Sequence, residues 1–329
     1  MTGRLDDAEA QARRDVARVL ADVPPGEPVV VGVSGGADSL ALAAVLAFVG
    51  PRAGWPVTAV VVDHGLQPHS AEVAQRAAEQ CRGLGLDAAV VTVEVGARGG
   101  PEAAARTARR TALLDHAAMI GARAVCLAHT ADDQAETVLL ALGRGSGARS
   151  LAGMSEVAGA FRRPLLGLRR TDTRRICTTG GLEPWDDPHN LDPAFRRVRV
   201  RHEVLPLLDD VLGGGVVGAL TRTAEQLARD TELLDALAAE WIAAHPHADG
   251  GSVEVAALAG QHAAIRTRVL RAAAVTAGAS DGELSAGHVA ELDRLLTEPW
   301  TGRRVELPGA VTCTGSRERL RFGPTPVAR

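Results

Sequence analysis

Short apolar runs alternate along this chain with longer stretches whose apolar residues recur every three or four positions. The short runs cover residues 29–33, 57–62, 88–93 and 124–128; rich in Val and Ala, they read as strands. Helical spacing follows each of them, from residue 37 through Leu40, Ala41, Ala44 and Val45, then over 70–84, 103–120 and 132–142. Pro101 suits the first turn of the third of these helices. Ahead of the first strand, residues 4–22 predict an amphipathic helix with Ala10, Val16, Val19 and Leu20 facing inward, ended by Pro24-Pro25-Gly26. Strands and helices alternating at this interval predict an α/β fold with a doubly wound parallel sheet. Ligands then bind beyond the carboxyl ends of the strands.

The pattern changes after Gly213-Gly214-Gly215. Residues 219–244, 261–277 and 284–296 read as helices, and 305–307, 310–313 and 317–322 as short closing strands. Two domains are expected at this length, 1–212 and a mainly helical 213–329, with residues 324–329 as a frayed tail.

The first strand ends in Ser34-Gly35-Gly36-Ala37-Asp38-Ser39 and a helix begins. Glycines allow a sharp turn and a close backbone approach to a ligand. The first N–H groups of the helix have no internal partner and make an anion site with the helix dipole. Ser34 and Ser39 add hydroxyls, whereas Asp38 would repel a phosphate unless Mg²⁺ lies between them. A plain strand–helix turn with polar caps is the simpler alternative. The string resembles the pyrophosphate-binding (PP) loop of the N-type ATP pyrophosphatases. That resemblance implies cleavage of ATP between its α- and β-phosphates and a Rossmann-like fold.

Composition removes several rivals. The chain has no lysine, and its 36 basic residues are all arginine. A Walker A loop needs a lysine on its phosphates, and pyridoxal phosphate needs one for its Schiff base, so both chemistries are excluded. A net charge of −4 excludes general affinity for nucleic acid, leaving local clusters to make any RNA contact. The four cysteines form no CxxC pair, which argues against a disulfide framework, a zinc ribbon or an iron–sulfur site. Without a signal-like segment or a long apolar span, a cytoplasmic protein with no membrane partner is expected.

Further polar motifs fall at the same predicted sheet edge. Asp63-His64 closes the second strand, and His129-Thr130-Ala131-Asp132-Asp133-Gln134-Ala135-Glu136 follows the fourth. Asp133 and Glu136 share a helical face; with His129 they suit metal binding, proton transfer or an ammonium group. Thr130 and Asp133 also fit a helix cap. Arg106 and Arg109 share another face, either solvated or touching an anion. Arg144, in the glycine-rich 143–147 loop, suits a phosphate backbone, and a flexible connector explains the loop equally well. Residues 162–201 are locally basic, through arginines that include Arg170, Arg197 and Arg201; RNA contact and a solvated face are the competing readings.

The stretch AHTADDQAETVLLALGRGSGARSLAGM resembles the signature of the tRNA(Ile)-lysidine synthase family. EAAARTAR, residues 184–192 and residues 195–207 resemble three further segments of that family, in order, so that the likeness covers roughly residues 28–210. Thr130 stands where the family has a second His, Arg110 where it has Tyr, His189 where it has Ser and Val198 where it has Asn. The resemblance implies ATP-dependent ligation of free L-lysine to the wobble cytidine of the tRNA(Ile) bearing a CAU anticodon. It implies ATP on residues 34–39, with Asp38 on Mg²⁺, and lysine on Asp133 and Glu136. His129 and Arg109 would join Asp38 in catalysis, and Arg106, Arg144, Arg197 and Arg201 would contact tRNA. A homodimer is compatible with the pattern. A tRNA 2-thiolation enzyme shares the loop but normally needs paired cysteines. A nucleotide-sensing protein would explain the loop but not the second motif.

Overall fold

The computed structural model describes residues 7–65, 67, 69–94, 96, 101–145, 147–245, 251–298 and 303–326, without the side chains of 101–103. Residues 4–6 of the first predicted helix, Leu66, Ser146 and residues 327–329 lie outside that description. The chain divides into two compact units, Met1–Leu140 with Gly153–Arg222, and Ala141–Ala152 with Thr223–Arg329.

The first unit opens with α1 (Asp7–Val19), β1 (Val29–Val33), α2 (Ala37–Ala53), β2 (Val57–Asp63), α3 (Ser70–Gly83) and β3 (Asp87–Thr92). Next come α4 (Pro101–Met119), β4 (Ala124–Cys126) and α5 (Ala131–Leu142). Helix α6 (Gly147–Leu151) belongs to the second unit. Returning to the first, the chain forms β5 (Val157–Ala158), β6 (Phe161–Arg162), α7 (Arg170–Thr179) and α8 (Arg196–Arg199). A wide π-helical turn at Val200–Val204 leads into α9 (Leu205–Val211).

Six strands form one sheet in the order β3-β2-β1-β4-β6-β5, parallel except for β5. The chain steps outward from β1 to β3 and then crosses back to β4, so the order reverses between β1 and β4. Side-chain alternation explains the burial on both faces. Val29, Val31 and Val33 pack with α1, α2, α3 and α7, whereas Val30, Val60 and Val125 pack with Leu113 and Ala117 of α4. Within α1, Val16 and Val19 are buried, as is Leu20 just beyond it, but Ala10 is only partly covered.

Two features depart from the expected pattern. Strand β4 stops at Cys126, short of residue 128, and the two-residue strands β5 and β6 extend the sheet beyond it. Two residues carry no readable period. Helix α7 lies inside the arginine-rich stretch; it buries only Thr173, Ile176 and Cys177, too thin an apolar stripe to stand out.

Helix α10 (Val216–Ala244) runs into the second unit, which continues with β7 (Ser252–Glu254), α11 (Val255–Ala259), α12 (Ala263–Thr276) and α13 (Ala286–Thr297). Strands β8 (Arg304–Leu307), β9 (Val311–Gly315) and β10 (Arg319–Pro324) complete an antiparallel sheet in the order β7-β10-β9-β8. Leu258, Leu270, Leu292 and Leu320 are fully buried in this unit's own core.

Candidate active site

The turn after β1 is held largely by its own residues. Gly35 takes φ +82°, a left-handed conformation that favours glycine. The Ser34 amide donates to Ser39 Oγ at 3.1 Å, and Ser39 Oγ donates to the Gly36 carbonyl at 2.9 Å. The two serine hydroxyls lie 3.2 Å apart. No side chain caps α2 at Gly36, so its first amides stay available to an anion. Asp38 stands in that first turn, accepting from the Thr173 hydroxyl and lying 3.7 Å from Arg170 Nε. Burial raises the Asp38 pKa, while Thr173 and Arg170 pull it the other way.

Helix α5 carries the second group of charges. The Thr130 amide and hydroxyl both donate to Asp133 Oδ2 at 2.9 Å, so these two residues do form a helix cap. The other Asp133 oxygen accepts from Arg170 at 2.5 Å. Glu136 is fully buried and pairs with Arg170 at 2.8 Å, Arg197 at 2.9 Å and Arg201 at 2.8 Å. Asp132 accepts two bonds from Arg169, at 3.0 and 2.9 Å, and a third from the Arg170 amide. Burial by itself would raise Asp133, but Arg170 and the Thr130 amide hold it below the ordinary carboxylate value. Arg170 is raised above the usual guanidinium value, because Asp133 and Glu136 outweigh the opposing effect of its burial.

His129 follows β4 at the same edge. Burial pushes its imidazole down to about 3, and Arg163, Arg106 and Arg109 add to the fall against the pull of Asp133. The ring is therefore neutral at physiological pH, and its Nδ1 is buried without a hydrogen-bond partner. Arg109 is exposed to solvent; desolvation by the surrounding protein, then the nearby Arg106, Arg110 and Arg197, lowers its pKa. Arg110, which stands where the family pattern has Tyr, lies over the Phe161 ring at 4.3 Å in a cation–π contact. Positive charges crowded in this way suit an anion.

The fold thus joins residues 34–39 to Asp133, Glu136, Arg197 and Arg201 through Arg170 and Thr173. His129, Arg106 and Arg109 form a neighbouring group. Arg144 is exposed in the Ala141–Ala152 segment of the second unit. Within the arginine-rich stretch, Arg162 and Arg163 are buried, Arg162 pairs with Asp22, Arg174 with Asp186 and Arg199 with Glu203. Much of that charge is matched by acids of the same unit, in part at its surface.

Residues 184–192, which resemble a family segment but were given no role on that ground, lie against the turn. The Trp185 amide donates to the Gly35 carbonyl at 2.9 Å, pinning the phosphate turn from outside. Gln80 holds Glu183 through two bonds, and Gln67 bridges Asp187 and His189. The family resemblance of residues 184–192 was the available signal, but a main-chain bond leaves no mark of its own in the sequence.

Asp38 fits a Mg²⁺ site of the kind completed by phosphates and water, because its partly exposed carboxylate stands at the turn where phosphate is expected. Among the described residues no group of three or more His, Cys, Asp or Glu side chains could hold a metal by itself.

A family model described as a PP-loop domain matches residues 8–208, and one described as a TilS substrate binding domain matches residues 254–321. The chain is 52% identical over 305 residues to a tRNA(Ile)-lysidine synthase of Thermobifida fusca, covering 92% of this chain and 93% of that protein. It is 53% identical over 290 residues to one from Leifsonia xyli, covering 87% and 86%. A U34-tRNA thiolase of Methanococcus maripaludis, solved with a 4Fe–4S cluster, superposes with a TM-score of 0.57 at 19% identity, over 67% of this chain and 79% of that one. At that identity the likeness concerns the fold alone.

Proposed function

The chain belongs to the tRNA(Ile)-lysidine synthase family, and from that premise we propose how its own residues divide the work. The activity is an ATP-dependent ligation that makes lysidine in tRNA(Ile). Its acceptor is taken to be the wobble cytidine of the CAU anticodon, and its donor free L-lysine. The C2 oxygen of cytosine leaves readily only as a phosphate ester, so adenylation comes first, with release of diphosphate. The ε-amine then attacks C2 and AMP departs.

The amides and serines of residues 34–39 would hold the β,γ-phosphates. Asp38 would hold Mg²⁺, which offsets charge on the leaving diphosphate when bound. Arg109, crowded by other guanidiniums, would meet the α-phosphate as charge develops. Neutral His129 can donate one hydrogen bond and accept another at the reacting phosphate. Asp133 and Glu136 would receive the lysine ammonium. Arg106, Arg144, Arg197 and Arg201 are the proposed tRNA contacts, the last two with a second task at Glu136. Cytidine in an anticodon loop is easily unstacked into such a site. Residues 213–329 would form an accessory domain that contacts tRNA, in a cytoplasmic enzyme. No single helix among the described residues is long and apolar enough to cross a membrane.

The observation that supports this reading best is the single network joining the phosphate turn to the α5 carboxylates. Thiolation fits poorly, because all four cysteines are buried, and burial raises Cys126 and Cys177 to about 12. Incubation with ATP, labelled lysine and tRNA transcripts differing only at the wobble base tests the proposal. Label should enter only the cytidine transcript, with release of AMP; release of ADP, or label independent of that base, would refute it.

A further inference from the structure

One guanidinium reaches carboxylates on two helices. Arg170 lies 3.7 Å from Asp38 on α2, and 2.5 and 2.8 Å from Asp133 and Glu136 on α5. Its helix is anchored independently, by Arg169 on Asp132 and by Thr173 on Asp38. The four carboxylates Asp38, Asp132, Asp133 and Glu136 are matched by the four guanidiniums of Arg169, Arg170, Arg197 and Arg201. An entering ammonium is a fifth cation and must take over a carboxylate already in use. Glu136 keeps Arg197 and Arg201, so the exchange falls on Asp133, whose ion pair is with Arg170. A phosphate chain arriving beside Asp38 supplies the anion toward which the Arg170 fork can turn.

We infer that Arg170 is a positioning residue that couples the two substrate sites: bound nucleotide draws its guanidinium off Asp133, and Asp133 then receives the lysine ammonium. This rests on the reading of Asp133 and Glu136 as lysine contacts. By linkage, nucleotide tightens lysine binding, and lysine tightens nucleotide binding by the same factor.

The test is equilibrium dialysis of labelled lysine against the full chain, with and without Mg²⁺ and α,β-methylene-ATP. The wild-type chain should bind lysine about 5-fold or more tightly with the nucleotide. Arg170→Gln should bind lysine at least as tightly as wild type without nucleotide, and the ratio should fall to near one. Arg170→Lys keeps a cation at this position but cannot bridge both helices, and its ratio should fall in the same way. A wild-type ratio near one, or undiminished coupling in Arg170→Lys, would overturn the inference. Asp133→Asn separates the two readings. Lysine binding that it leaves unweakened would overturn both, whereas weakened binding with coupling retained in the Arg170 variants would overturn this one alone.

Discussion

The phosphate turn and the α5 carboxylates are built on opposite plans. Bonds within the turn join residues no more than five positions apart. Around Glu136 they join residues 34 and 65 positions apart. The first amides of α2 carry no side-chain cap, so an anion can bond to them without displacing a capping group. The carboxylates are already matched by guanidiniums, so a cation there must displace a resident one. The first region presents a site by local geometry. The second holds the fold together with the same groups that would bind substrate.

The largest difference between them should appear with Asp38→Ala. AMP release dependent on tRNA and lysine is expected to fall on the order of 10³-fold, with a smaller fall in Tm than at Glu136 because only Thr173 and Arg170 lose a partner. Unchanged rates would remove Asp38 from the chemistry. Glu136→Gln should act on the fold as well, because it removes the buried charge shared by the half-buried guanidiniums of Arg170, Arg197 and Arg201. A loss of about 4 kcal/mol is expected, read as a Tm lower by roughly 10 °C. A shift below about 2 °C would show that the two regions are not so different.

His129 provides a test through pH. Its folded-state value of about 3 lies below the ordinary 6.5, so the unfolded chain binds the proton first. Its contribution to stability is complete above pH 6.5 and is lost as pH falls from there toward 3. His129→Gln should therefore lose less stability than wild type on acidification, the difference reaching roughly 2 kcal/mol at pH 5 in paired thermal melts. Parallel curves would show that the imidazole is not held neutral. The smallest effect belongs to the turn itself. Ser39→Ala removes one local hydroxyl and should cost about 1 kcal/mol of stability and raise the ATP KM about 5-fold.

The same contrast governs what could be read without coordinates. The strand beginning at Val29, the turn at Gly35 and the helix after it were legible, since period and turn chemistry act over a few residues. The Thr130–Asp133 cap was legible for the same reason. Strand β6, helix α7 and the bond from Trp185 to Gly35 were not, because each is stabilised chiefly by distant partners.

The amino-acid order alone thus specified an α/β sheet with a phosphate turn at its edge, and a family signature around it. Which arginine meets which acid was decided by folding. Guanidiniums in a row such as Arg169-Arg170 and Arg196-Arg197 are chemically alike, and Coulomb attraction carries no address. Packing of α7 against α2, and of Val200 against Ala131 and Ala135 of α5, brings Arg170 and Arg201 to Glu136, while Arg199 is left at the surface with Glu203.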